Sequence, residues 1–165
     1  MKNIILTLLC FGLFFSCKSR EEKKEFTPEI LALSVQDSSG QKTTFGDILN
    51  QNKGKKTIIE VWASWCPDCI KSFPKVAEYQ KNNPDINFVF VSVDNNENAW
   101  LNGVEKHMSQ HELKGSQILM PGGWGKGKGS AFTEYIELDW IPRYMLLDET
   151  GNIEIYYAKD LSDLK

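Results

Sequence analysis

The stretch TIIEVWASWCPDCIKSFP, residues 57–74, runs a compact β-branched and aromatic segment directly into two cysteines three positions apart. Thr, Ile, Val and Trp suit a pleated surface packed on both faces, so TIIEVWA reads as a buried central strand. Beyond it, PDCIKSFPKVAEYQKNN carries Ile70, Phe73, Ala77 and Gln80 at helical spacings with Val76 beside them, which predicts an amphipathic helix starting at the cysteines. Pro67 suits the first helical position, where its missing N–H is not needed. Pro74 falls inside the helix and is expected to kink it.

The rest of the pattern extends this junction into a layered α/β fold. INFVFVSVD predicts a second buried strand, ENAWLNGVEKHMSQHEL a second helix, and AFTEYIEL a short helix. PRYMLLD and IEIYYA predict a third and a fourth strand joined by the turn ETGN. Earlier in the chain, ILALSVQD followed by SSGQ predicts an extended region with a hairpin over residues 30–45, and FGDILNQNKGKK one short helix ending at a glycine. ILMPGGWGKGKGS reads as a short apolar piece running into a glycine-lysine loop. The strand directions are mixed, and no internal repeat or second domain is visible. With 165 residues, 41% of them hydrophobic, the chain can bury one core.

Residues 1–16 stand apart from that domain. MKNIILTLLCFGLFFS has a short lysine-bearing start and an apolar run, the form of a secretory signal, and Cys17 follows the small residue Ser16. A small residue and then cysteine resembles the lipobox of bacterial lipoproteins, in which the cysteine is lipidated and becomes the mature N-terminus. That resemblance implies a lipid anchor on Cys17 and a place in the cell envelope, facing the periplasm. Residues 18–29, rich in charge, read as a tether, with the globular domain over 30–165. A formal net charge of −3 provides no field to draw the chain to nucleic acid.

With Cys10 in the signal and Cys17 the anchor, Cys66 and Cys69 are the only pair left to the domain. Disulfide-scaffold proteins carry several spread pairs, so this pair reads as used rather than merely present. A cysteine attacks as its thiolate, and at a helix N-terminus Cys66 meets unpaired N–H groups and the positive end of the helix dipole. Cys66 is therefore the expected nucleophile, and Cys69, one turn on, can close a disulfide with it or resolve a mixed disulfide. A zinc site would need His107 and His111 as further ligands, and their separation from the cysteines does not match short zinc-finger spacing. A static disulfide in a binding module is the other reading.

The segment IIEVWASWCPDCIKSFP resembles the thioredoxin active site, with Trp62, Trp65 and the helix proline Pro74 where that family has them. Together with the lipobox-like start and IPRYMLLDETGNI, it is similar to the membrane-anchored TlpA and ResA group. The resemblance covers about residues 30–160. It implies a thioredoxin-like fold, a mixed central sheet flanked by helices with an N-terminal β extension. It also implies thiol-disulfide exchange on protein disulfides through Cys66–Cys69, with no metal and no cofactor besides that pair. A membrane electron donor would re-reduce the pair, the protein would act as a monomer, and cytochrome c maturation is one pathway the group suggests.

The same resemblance implies that the Ile141–Pro142 bond is cis and lies against the cysteines, although only ~5% of X–Pro bonds in folded proteins are cis. Ile141 backbone, Trp65, Pro67 and Asp68 would then meet the substrate. Glu60, six residues before Cys66, matches the buried acid of thioredoxins. Burial should raise its pKa, and it is the expected proton acceptor when Cys69 attacks. Many TlpA-type chains carry an acid shortly after the second cysteine, where this one has Ser72. Asp68 opposes a thiolate on Cys66 and points toward a reducing pair.

Two other signals lead elsewhere. Gly122, Gly127 and Lys128 match a phosphate-loop frame, but Gly129 stands where a serine or threonine must bind magnesium, so a flexible basic loop is expected. Peroxidases of related fold would need a threonine and a proline upstream of the cysteine, and Trp62 to Trp65 does not supply them. The tryptophans other than Trp65 read as core.

Overall fold

The computed structural model describes residues 21–125 and 128–164. The signal segment and Cys17 lie outside the described residues, as do Lys126 and Gly127 of the basic loop. The chain begins with a one-turn helix, α1 (Pro28–Leu31), then a hairpin, β1 (Ser34–Asp37) and β2 (Lys42–Thr44). Helix α2 (Phe45–Gln51) follows, its N-terminus capped by the Thr44 hydroxyl accepting from the Asp47 N–H. Strand β3 (Thr57–Trp62) is buried at every position and leads into α3 (Pro67–Asn82), which runs unbroken through Pro74.

After β4 (Asn87–Ser92), helix α4 (Glu97–Gly103) loosens into a π turn over Val104–Met108 and tightens into a 3-10 turn over Ser109–His111. Strand β5 (Ser116–Leu119), a ribbon of β6 (Trp124–Gly125) and β7 (Lys128–Gly129), and helix α5 (Ala131–Tyr135) come next. The chain closes with β8 (Arg143–Leu147), β9 (Ile153–Ala158) and a 3-10 turn over Leu161–Asp163.

Seven strands form one sheet in the order β2-β1-β5-β4-β3-β8-β9. β3 is parallel to β4 and β4 to β5, whereas β8 is antiparallel to β3 and β9 to β8. The first hairpin joins through β1 running antiparallel to β5, so the N-terminal β extension is an edge of the main sheet. β5 is a strand that the sequence pattern left as a short apolar piece: it has four residues and only Ile118 is fully buried.

Alternation along β8 assigns the two helical layers. Tyr144 reaches Ser72 on α3, while its neighbour Arg143 donates to the carbonyl of Ile136, just after α5. α3 therefore covers one face and α5 the other. α1 and α2 share the α5 face through an aromatic cluster in which Phe45 meets Phe26 at 5.2 Å and Phe132 at 5.3 Å, both edge to face.

That cluster corrects the expected domain boundary. Phe26 is buried, and the Lys24 carbonyl accepts from the Ile153 N–H at 2.7 Å, so the packed domain reaches back into the stretch read as a tether. One buried aromatic among charged neighbours gives no periodic signal. Ile30 and Leu31 are also helical rather than extended, because Pro28 starts a turn there. Replacing Phe26 with Ala should lower urea-unfolding stability by roughly 3 kcal/mol. A loss well under ~1 kcal/mol, the scale of surface changes, would return residues 24–29 to the tether.

Candidate active site

Cys66 and Cys69 are joined by a disulfide at the junction of β3 and α3, with Cα atoms 5.3 Å apart. Cys66 is itself the N-cap of α3: its Sγ accepts from the Cys69 N–H at 3.1 Å, in the place a Ser or Asp oxygen would take. Once the disulfide opens, this N–H and the helix dipole stabilise negative charge on that sulfur. Pro67 stands exposed in the first turn, and Asp68 projects into solvent, where its field at Cys66 is weakened by screening.

On the other side, Cys66 Sγ lies 3.6 Å from the Ile141 carbonyl oxygen, and the Ile141–Pro142 bond is cis. A disulfide sulfur has no proton to give, so this is a contact in the oxidised protein. The loop before Cys66 is pinned separately. Buried Asp94 accepts from the Ser64 N–H at 2.9 Å and the Ser64 hydroxyl at 2.7 Å, and a further bond from the Ser92 hydroxyl holds its carboxylate. Helix α4 closes over the loop at Gly103, where a Cβ would come within 2.6 Å of the Ser64 Cβ.

Glu60 is fully buried in the middle of β3 and sits opposite Tyr144 in the β3–β8 register. The Tyr144 hydroxyl lies 3.3 Å from both Glu60 Oε1 and Ser72 Oγ, and the Ser72 hydroxyl donates to the Cys69 carbonyl at 2.7 Å. Glu60 Oε2 has no hydrogen-bond partner among the described residues. Desolvation dominates, pushing the carboxyl up to about 8 against the smaller opposing pull of the Tyr144 and Ser72 hydroxyls. Burial raises the Tyr144 phenol as well, so it stays a neutral donor.

The Redoxin family pattern matches residues 26–163. The chain belongs to the Redoxin family. Among individual relatives, the sporulation thiol-disulfide oxidoreductase A of Bacillus subtilis is 29% identical, over 91% of this chain and 83% of its own. The thiol-disulfide oxidoreductase ResA of Bacillus thuringiensis is 28% identical, over 91% and 82%. The solution structure of a candidate thiol-disulfide oxidoreductase from Bacteroides vulgatus superposes with a TM-score of 0.63 at 32% identity, covering 84% of each chain. The thioredoxin domain of a second Bacteroides vulgatus oxidoreductase, at 20% identity and TM-score 0.64, shares the fold. The chain is thioredoxin-like in fold.

Within this Redoxin scaffold, the structure brings Cys66, Cys69, Ile141 and Pro142 together, and sets Glu60 beneath them through Tyr144 and Ser72. His107 and His111 lie on the turns after α4, and no three His, Cys, Asp or Glu of the described residues are grouped to hold a metal. Sequence reasoning missed three residues. Tyr144 reads as an ordinary core aromatic until the register places it across from Glu60. Arg143, fully buried after Pro142, donates to the Tyr156 carbonyl at 2.5 Å and lies 4.1 Å over the Tyr157 ring, fixing the strand that presents the proline. Trp124, half-buried against the core, stacks on Trp65, and Trp140, 45% exposed, is not the core residue expected.

The Glu60 carboxyl gives a pH signature. An unfolded glutamic acid ionises near pH ~4.3, whereas the folded one holds its proton to about 8, so between these values the folded protein binds the extra proton. Stability should therefore fall as pH rises across that window, by up to roughly 1.4 kcal/mol per unit from this group, and level off above it. Denaturant unfolding of wild type and Glu60→Gln between pH 5 and pH 9 checks this. The variant should lose that slope, and two parallel profiles would show that Glu60 is not the group.

Proposed function

We propose that this chain is a thiol-disulfide oxidoreductase that reduces disulfides in protein substrates outside the cytoplasm, held to the cell envelope by lipid on Cys17. The observation that carries the reading is the Cys66–Cys69 pair at the head of α3, its first sulfur receiving a helix N–H. Membership of the Redoxin family and the oxidoreductase relatives support the same chemistry. No helix among the described residues is long and apolar enough to cross a membrane.

In the dithiol form the Cys66 thiolate attacks one sulfur of the substrate disulfide. A Cys66–substrate S–S bond forms, and the other substrate sulfur leaves as a thiolate that takes a proton from solvent. Cys69 then gives its proton to the Glu60 carboxylate and attacks Cys66 Sγ. The mixed disulfide breaks, the second substrate thiolate departs and is protonated, and the enzyme is left as the Cys66–Cys69 disulfide with two electrons transferred. A membrane electron donor returns the pair to the dithiol, and no further cofactor or metal enters. A carboxyl titrating near the working pH suits this proton exchange. The enzyme acts as a monomer, and cytochrome c maturation is a pathway in which such a reductant serves.

The wild-type protein should reduce insulin with dithiothreitol as electron source, Cys66→Ser should be inactive, and Cys69→Ser should accumulate mixed disulfides with partners in the native host. Resolution of a preformed mixed disulfide should accelerate with pH toward about 8 in wild type, and Glu60→Gln should flatten that rise. A midpoint potential near the ~−120 mV of strong oxidants would overturn the reductive direction. Intact mass of the mature protein should show lipid on Cys17.

A further inference from the structure

Among the described residues, Trp65 and Trp140 are the exposed large hydrophobic side chains, at 53% and 45%. Each is the chain neighbour of a residue at the disulfide, Cys66 and Ile141, whose Sγ and carbonyl oxygen are 3.6 Å apart. Exposed apolar surface concentrated at a reactive sulfur marks an interaction surface. The two indoles differ in what holds them. Trp140 has the Lys159 ammonium 5.4 Å from its ring, which occupies one face. Trp65 is stacked on a second indole, Trp124, with ring centroids 6.4 Å apart and planes 23° from parallel.

Trp124 reaches that position on the β6–β7 ribbon, and backbone bonds hold it there. Its N–H donates to the Val93 carbonyl at 2.9 Å, just past β4, and it pairs with Gly129 across the ribbon. Gly123 before it has φ of 55°, a conformation that favours glycine, and a Cβ there would run into the Asn95 side chain. The stack limits the rotamers of Trp65 before any partner arrives, which lowers the entropy lost on binding.

We propose that Trp124 is a specificity-determining residue: with Trp65 it forms an aromatic shelf beside Cys66 that grips an aromatic side chain flanking the cysteine of an extended polypeptide substrate. The inference rests on the disulfide-reductase reading above and adds what that reading lacks, a feature selecting among disulfides. A polypeptide brings side chains next to its sulfur, whereas a small disulfide brings none. Tryptophan is among the residues over-represented at the energetic centres of protein interfaces.

The test uses pre-reduced full-length protein and three disulfides: a peptide dimer with Phe beside its cysteine, the same dimer with Ala there, and bis(2-hydroxyethyl) disulfide. Wild type should react faster with the Phe dimer than with the Ala dimer. Trp124→Ala should slow the Phe dimer by about 3- to 10-fold, the range of one aromatic contact, and slow the small disulfide distinctly less. Trp124→Phe should recover most of the loss. Equal losses on the Phe dimer and the small disulfide, or no loss on either, overturn the shelf while leaving the redox reading intact. Should Trp124→Ala fail to fold by circular dichroism, the wild-type comparison and Trp124→Phe decide, and indifference to Phe against Ala overturns the proposal. A wild type inert toward all three overturns the redox reading and the shelf with it.

Discussion

The N–H···S hydrogen bond from Cys69 to Cys66 makes one sulfur serve two purposes, and much of the surrounding structure depends on where that sulfur is held. As an N-cap it satisfies a donor that the start of α3 would otherwise leave to solvent. As the less buried end of the pair it is the atom a partner must reach. Both demands fix the loop between β3 and α3, and that loop is tied at several points. Asp94 clamps Ser64, the bare backbone of Gly103 admits α4 against it, and the Ile141 carbonyl lies against the sulfur. These ties come from the segment just past β4, from α4 and from the segment leading into β8, distant in sequence and brought together around β3.

Glu60 is the ionisable residue of β3, a strand otherwise built from Thr, Ile, Val and Trp, and its surroundings explain how it is tolerated. A buried carboxylate without a cation is strongly disfavoured, so the group remains largely protonated at neutral pH, with Tyr144 donating to one oxygen. The hydrogen-bonded path from Glu60 through Tyr144 and Ser72 ends on the Cys69 carbonyl oxygen, not on its sulfur. These two hydroxyls therefore orient the carboxyl against α3 rather than conduct its proton. Ser72, which a reading by resemblance takes as the loss of an acid, keeps a hydrogen-bonding place beneath the cysteine.

The strands and helices that carry the cysteines were legible because their periodicities are strong: β3, α3, β4, β8 and β9 lie where apolar runs and turn residues put them. β5 was not, because its four residues, SQIL, three of them half-covered, alternate too weakly to distinguish a sheet strand from a loop. The docked N-terminal segment was hidden because a single aromatic, Phe26, carries it among charged residues that do face solvent. At the site, the cysteines, Glu60 and Ile141–Pro142 could be read from spacing and resemblance. Tyr144 and Trp124 could not, since each takes its place from a pairing across the fold, one by strand register and one by a ribbon two residues wide.

The environment beneath the cysteines also bears on the direction of electron flow. A pair becomes more oxidising as its reduced thiolate is stabilised. Here the described stabilisation of Cys66 comes from one backbone N–H and the helix dipole, with exposed Asp68 adding a weak opposing field. Glu60, held up to about 8 by burial, adds no charge of its own while it keeps its proton. Raising the pH ionises the Glu60 carboxyl, which in the proposed cycle readies it to accept a proton. In that cycle the Cys69 thiolate is formed only as it attacks and is consumed in the new disulfide.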